Sequence, residues 1–363
     1  MTRTDAGFTV IELLISTSIM LVVTGSIFGL VNPGQSAFRV QPEVSDMQQR
    51  LRVATSFLHK DLMMAGAGPY TISAAGPLSR FFAPVVPYRI GKIDADPDRN
   101  VFFRGDTISL VFVPNTAAQT TIRDALPGSV STARVRVDTD TTQPGCPTAD
   151  VVCGFEAGNT VLVFDDTGAS DTFRVTGTQG NQVQLEVRGS AISKTYPVGS
   201  IITRATTHTY YFDSAASQLS HYDGWDTDTP MVDDVVGLRF RYFGDPNPPT
   251  SPRPPVGSGN CLFGPLGNPL LPTLPSGSGS LVELPESLLT DGPWCGTVNR
   301  FDADLYRIRT VAVELRMQAG SADLRGSDPT LFLRPGDAVQ GARMLPDRMI
   351  NFEVSPRNMN LAR

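Results

Sequence analysis

Between Phe8 and Val31 an uninterrupted apolar run carries a single charge, Glu12. A carboxylate in hydrocarbon costs roughly 2.5 kcal/mol or more, so one placed there ordinarily has a partner and a task. A second candidate is the acidic stretch DADPDRN, where Asp94, Asp96, Asp98 and Asn100 alternate as the opening ligands of an EF-hand calcium loop do. Arg99 stands where that loop needs glycine, and Gly105 where it needs glutamate, so a solvated acidic turn is the plainer reading. The DTD runs at Asp138 and Asp226 are weaker versions of the same pattern. Third come the histidines. His208 and His221 fall in one expected hairpin and could share a metal if the register allows, but a third and fourth ligand are missing; His59 reads as a polar-face helix residue.

No catalytic constellation accompanies these groups. The zincin H-E-x-x-H, the G-x-S-x-G elbow and the phosphate-cradling G-x-x-x-x-G-K-[ST] are all absent, and the reading is a non-enzyme. No cofactor is implied; calcium is the one ion considered, at Asp94, Asp96, Asp98 and Asn100. Arg134, Arg136, Arg239 and Arg241 alternate on expected strands and could form a basic stripe for DNA, yet such charges also keep strand edges from pairing with other chains. With a net charge of −6, nucleic acid is the disfavoured partner. The four cysteines, Cys146, Cys153, Cys261 and Cys295, contain no C-x-x-C pair. Pairing Cys146 with Cys153 and Cys261 with Cys295 would suit an oxidising compartment; unpaired buried thiols are the alternative.

The elements that must carry these residues begin with Phe8–Val31, which as a helix would be about 36 Å long, enough to cross a hydrocarbon core of about 30 Å. A cleavable secretory signal would need a basic leader and an A-x-A-like site, whereas Arg3 is offset by Asp5 and no such site follows Val31. A plain anchor leaves Glu12 unexplained. The stretch GFTVIELLIS, from Gly7 to Ser16, resembles the class III signal of type IV pilins and type II secretion pseudopilins. That resemblance implies a leader of residues 1–7, cleavage by prepilin peptidase between Gly7 and Phe8, N-methylation of Phe8, and pairing of Glu12 with the Phe8 amine of a neighbouring subunit. An opposite charge makes a buried carboxylate tolerable.

Asn32-Pro33-Gly34 is a breaker, so a helix continuing with a local break is expected over 32–69. Val44, Met47, Leu51, Ala54, Leu58 and Leu62 then recur at three- and four-residue steps, with Gln48, Arg52, Thr55 and Lys60 on the other side. Gly66, Gly68 and Pro69 end it. Beyond residue 70 the apolar period becomes two. DTISLVFVP, TVLVFDD, the pair of runs around Gly180-Asn181, HTYYFDSAASQLSHYD, DVVGLRFRYF, YRIRTVAVELRM and MINFEVSPRN read as antiparallel strands, with no helix–strand alternation. A Pro/Gly/Ser-rich insertion lies at about 244–293, its ends within reach of Cys261 and Cys295. The helix MQQRLRVATSFLHKDLMMAGAG and the runs YYFD…LSHYD, VVGLRFRYF and TVAVELRM also resemble the larger minor pilins of the PilW type and, more distantly, the J-type minor pseudopilin. The expected class is α+β: a long N-terminal helix, transmembrane then amphipathic, packed on antiparallel sheets in a pilin-like body over 70–363.

The resemblance implies a structural subunit that primes or caps a type IV pilus. Its partners would be other major and minor pilins or pseudopilins, prepilin peptidase, the inner-membrane assembly platform and the inner membrane itself. The body would stand in the periplasm before assembly. A minor pseudopilin of type II secretion, and a pilus-associated adhesin or DNA-binding subunit, are the alternatives.

Overall fold

The computed structural model describes residues 9–69, 76–91, 103–114, 118–139, 150–165, 167–189, 191–277, 281–296, 300–339 and 343–360, without the side chains of 29–39. Gly7, Phe8, Asp94, Asp96, Asp98, Asn100 and Cys146 lie outside the described residues.

A single helix, α1, runs Val10–Met64, 55 residues and so about 82 Å. It passes Asn32-Pro33-Gly34 and Pro42 without leaving the helical state, although each proline removes one backbone bond to the carbonyl four residues earlier. The expected local break is therefore absent: the helix is continuous through Asn32-Pro33-Gly34.

The chain divides into two compact units. The first joins residues 1–50 to 317–348. Within it Val40 and Met47 of the helix are buried, as are Ala319, Leu324, Phe332 and Leu345. Glu43 accepts from Arg50 at 3.2 Å and from the backbone N–H of Gly320 at 2.5 Å, and Arg50 also reaches Asp46 at 2.6 Å.

The second unit, 51–316 with 349–363, holds the sheets. Ala54, Leu58 and Leu62 give the last turns of α1 their buried stripe, as the spacing predicts. The helix stops at Gly66, whose φ of +76° suits glycine alone and whose added Cβ would sit 2.9 Å from Met359 and 3.2 Å from Pro84. There the chain is stitched to a strand: Gly66 N–H donates to Val111 C=O at 3.0 Å and Val113 N–H to Ala67 C=O at 2.8 Å.

That strand, Thr107–Phe112, belongs to a five-stranded sheet. Its neighbours are Val85–Val86 and Thr206–Asp213, followed by Gln218–Tyr222 and Asp228–Asp233, and every pairing is antiparallel. The hairpin expected in HTYYFDSAASQLSHYD pairs Asp213 with Gln218 and Tyr210 with His221. A six-stranded sheet is antiparallel throughout, in the order Gln119–Thr121, Ile201–Arg204, Thr160–Phe164, Ser170–Gln179, Gln182–Val187, Thr132–Arg136. Its Gly180 turn sets Phe173 against Val187 and Val175 against Leu185. Those side chains close one core with Val135, Val161, Val163, Tyr196 and Ile202. In a third sheet Val282–Leu284, Val235–Gly244, Ile308–Met317 and Arg348–Val354 lie side by side. The α+β class is thus met, with one apolar N-terminal helix and several antiparallel sheets.

The proline-rich insertion is organised by a buried cation. Arg307 is fully buried; its guanidinium bonds the Asp304 carboxylate and donates to the carbonyls of Pro246 at 2.8 Å and Pro272 at 2.6 Å. Leu262, Phe263, Leu271, Leu284 and Leu289 are buried from the same segment. Cys261 and Cys295 form a disulfide with Cα atoms 5.0 Å apart. Cys153 is buried and disulfide-bonded as well.

Candidate functional site

The N-terminal helix is apolar enough over Val10–Phe28 to cross a membrane, with a mean hydropathy of 2.0 and none of that stretch buried within the chain. Five hydroxyls interrupt its apolar surface, and those of Ser16, Thr17, Ser18 and Ser26 turn back onto their own helix. Ser16 donates to Glu12 C=O at 2.7 Å, Thr17 to Leu13 at 2.9 Å, Ser18 to Leu14 at 2.8 Å and Ser26 to Val22 at 2.8 Å. Polar groups in lipid must be satisfied from within, and these are. Glu12 is held differently: its Oε2 accepts from the backbone N–H and the hydroxyl of Thr9, both at 2.9 Å. Among the described residues no cation lies within ion-pair reach of it. The carboxylate is hydrogen-bonded but its charge is left unneutralised by the described residues.

His208 and His221 do come together, with ring centroids 4.5 Å apart and nearly perpendicular. They are not arranged for a metal. His208 Nδ1 bonds Asp61 Oδ2, the same oxygen that accepts from Tyr210 OH at 2.6 Å, and the Nε2 of His221 is buried with no partner. Burial pushes the Asp61 carboxyl up, but the bonds from His208 and Tyr210 outweigh it and hold Asp61 below the usual carboxylate range. Burial, then the neighbouring His208, pushes His221 down. The cluster ties the last turns of α1 to the five-stranded sheet. His59 is exposed on the helix, as expected.

The four arginines are not one stripe. Arg134 and Arg136 lie on the edge strand of the six-stranded sheet, Arg239 and Arg241 on Val235–Gly244 of another. Arg136 is forked onto Asp124 at 2.5 Å, and Arg241 lies 3.9 Å from Glu283. Asp138 and Asp226 hold Arg123 and Arg174, each at 2.7 Å.

Two features escape the sequence reading. Asp291, Asp302 and Asp304 bring carboxylate oxygens within 4.8 Å of one another. Burial raises Asp304 to about 6 against the pull of Arg307, while Asp302 accepts from the N–H groups of Gly292 at 2.6 Å and Asp304 at 2.8 Å. The buried members of this group thus cap backbone and hold Arg307. The other feature is a cleft of about 190 Å³ lined by Val86, Leu162, Phe301 and Arg188. The cleft joins residues far apart in the chain, and the spacing of the three aspartates follows no ligand motif, so neither could be read beforehand.

No family model matches the chain, and no curated protein matches it either.

Proposed function

We propose that this chain is a minor pilin, a structural and non-catalytic subunit that primes or caps assembly of a type IV pilus. The observation that carries the reading is the exposed apolar span with one unneutralised carboxylate, Glu12, at its start. The span is continuous with a helix whose far end is clamped into a β-rich unit. In this reading prepilin peptidase cuts between Gly7 and Phe8, and Phe8 becomes N-methylated. The span then leaves the inner membrane to enter a bundle of like helices. Glu12 recruits, because a bundle interior favours a partner charge from a neighbouring subunit. The Cys261–Cys295 disulfide supports a body standing in an oxidising compartment, the periplasm before assembly.

The test is N-terminal peptide mass spectrometry of the protein from cells with and without a prepilin peptidase. The expected result is a chain beginning at N-methylated Phe8, seen only with the peptidase. An intact leader in both strains, or a cut by ordinary signal peptidase near Ala37, would refute the reading. Within it, Glu12→Ala is expected to leave processing intact and to abolish incorporation into sheared filaments. Loss of pili on deletion of the gene, with exoprotein release retained, separates the pilus from a type II secretion system.

A further inference from the structure

Arg188 is 8 % exposed, yet no carboxylate among the described residues lies within ion-pair reach of it. Its side chain makes one hydrogen bond, from Nη1 to Thr207 Oγ1 at 3.1 Å, and packs against Gly224, whose added Cβ would lie 3.0 Å from that nitrogen. Native arginines this deeply buried ordinarily have a fork-shaped acceptor, because desolvating the cation without one is costly. The nearest acids are turned to other work. Asp171 Oδ2 accepts from Ser193 N–H at 2.9 Å, Ser193 Oγ at 2.6 Å and Tyr196 OH at 2.9 Å. Asp223 Oδ1 caps the backbone N–H groups of Trp225, Asp226 and Thr227. Burial lowers the Arg188 pKa to about 10, which still leaves the guanidinium charged at neutral pH.

The surroundings select the ligand. The cleft is open to solvent on one side and lined by Val86, Val111, Leu162 and Phe301, with Ser170 and Thr172 as polar points. Arg89 also borders it, but is paired with Asp228 at 3.0 Å and stacked on Tyr222 at 4.0 Å. Arg300 lines the cleft too, but it is exposed and stacked on Trp294 at 5.4 Å. Arg188 is thus the buried cation of the lining without a carboxylate partner, and one buried cation matches one negative charge rather than two. A guanidinium fork matches a planar carboxylate, and apolar walls match an uncharged body. Pockets for drug-sized ligands run to about 300 Å³ and above, so this one fits a small group.

We propose that the cleft is a binding site for a small monoanionic carboxylate with an apolar body, its carboxylate paired with Arg188 and its body against Leu162 and Phe301. A free organic acid and the C-terminal residue of a peptide share this chemistry.

The test is calorimetric titration of the full chain in detergent micelles with four probes: benzoate, acetyl-glycyl-phenylalanine with a free carboxylate, benzamide and inorganic phosphate. Saturable binding of benzoate or of the peptide acid is expected, with benzamide weaker by about tenfold or more. The tighter of the two acids identifies the source. Arg188→Gln is expected to weaken binding about tenfold or more. Because loss of Arg188 could unfold the chain, Gly189→Leu provides an independent variant: Gly189 lines the cleft, and an added Cβ there meets nothing within 4 Å. It is expected to keep the wild-type melting curve and lose the ligand. Equal binding of benzoate and benzamide, undiminished binding in Gly189→Leu, phosphate bound as tightly as the acids, or no saturable binding to wild type would each overturn the proposal.

Discussion

Single residues fix the attachment between helix and sheet. Asp61 lies in the run HKDLMMAG, three residues after Leu58 of the apolar stripe, but its partners His208 and Tyr210 are 147 and 149 residues away. Distances of that kind are set by tertiary packing and have no local pattern to announce them. Asp61→Ala leaves the buried Tyr210 hydroxyl and the half-buried His208 ring without their acceptor and is expected to cost about 2 kcal/mol or more, measured by urea denaturation. His221 gives the pH dependence. Its folded pKa is depressed by burial, so the unfolded chain takes up a proton at about 6.5 that the folded chain refuses. Stability therefore falls as pH drops from about 6.5 towards the folded value. Asp61, also depressed, contributes stability at neutral pH that is lost only at still lower pH. His221→Phe removes the unpartnered Nε2 and is expected to shrink the loss of stability between about pH 7 and pH 5. A slope unchanged from wild type would assign the pH dependence elsewhere.

At the scale of elements, periodicity made the helix and most hairpins readable. Val236, Leu238, Phe240 and Tyr242 are buried on their strand with Arg239 and Arg241 exposed between them, the alternation their spacing predicts. The proline-rich insertion was not readable, because proline and glycine composition says where regular structure is absent and nothing about what replaces it. Here it is replaced by carbonyls gathered on Arg307 and by the Cys261–Cys295 bridge. A bridge spanning 34 residues is worth up to about 4 kcal/mol through the entropy of the unfolded loop. Cys295→Ser is accordingly expected to lower stability by up to about 4 kcal/mol and to open the 245–275 segment to protease before the sheets. Leu58→Ala, in the buried stripe of α1, is expected to cost about 3 kcal/mol by leaving a cavity.

For the whole molecule, the helix serves two compact units, and its parts are not interchangeable. Residues up to Arg50 share a unit with 317–348, and Glu43 holds the Gly320 N–H directly. A chain starting near residue 29 should therefore dissolve without detergent and retain its fold, whereas one starting at Leu51 should lose protection of 317–348 in limited proteolysis. That division was not legible in the sequence, where 32–69 read as one amphipathic run; Glu43 and Arg50 look like surface charges until Gly320 is seen beside them. The insertion adds a point about descent. Its two anchoring carbonyls, Pro246 and Pro272, are fixed by Arg307, and Leu262 and Phe263 between them are buried, but the flanking turns are exposed, with Val256 and Leu266 almost wholly in solvent and free space around Gly257. Doubling such a loop costs only about 0.6 kcal/mol. Across generations the gene can thus gain or lose codons at the turns around Val256 and Leu266 without disturbing the sheets, so that the length of these turns can vary among lineages while the framework beneath them stays constant.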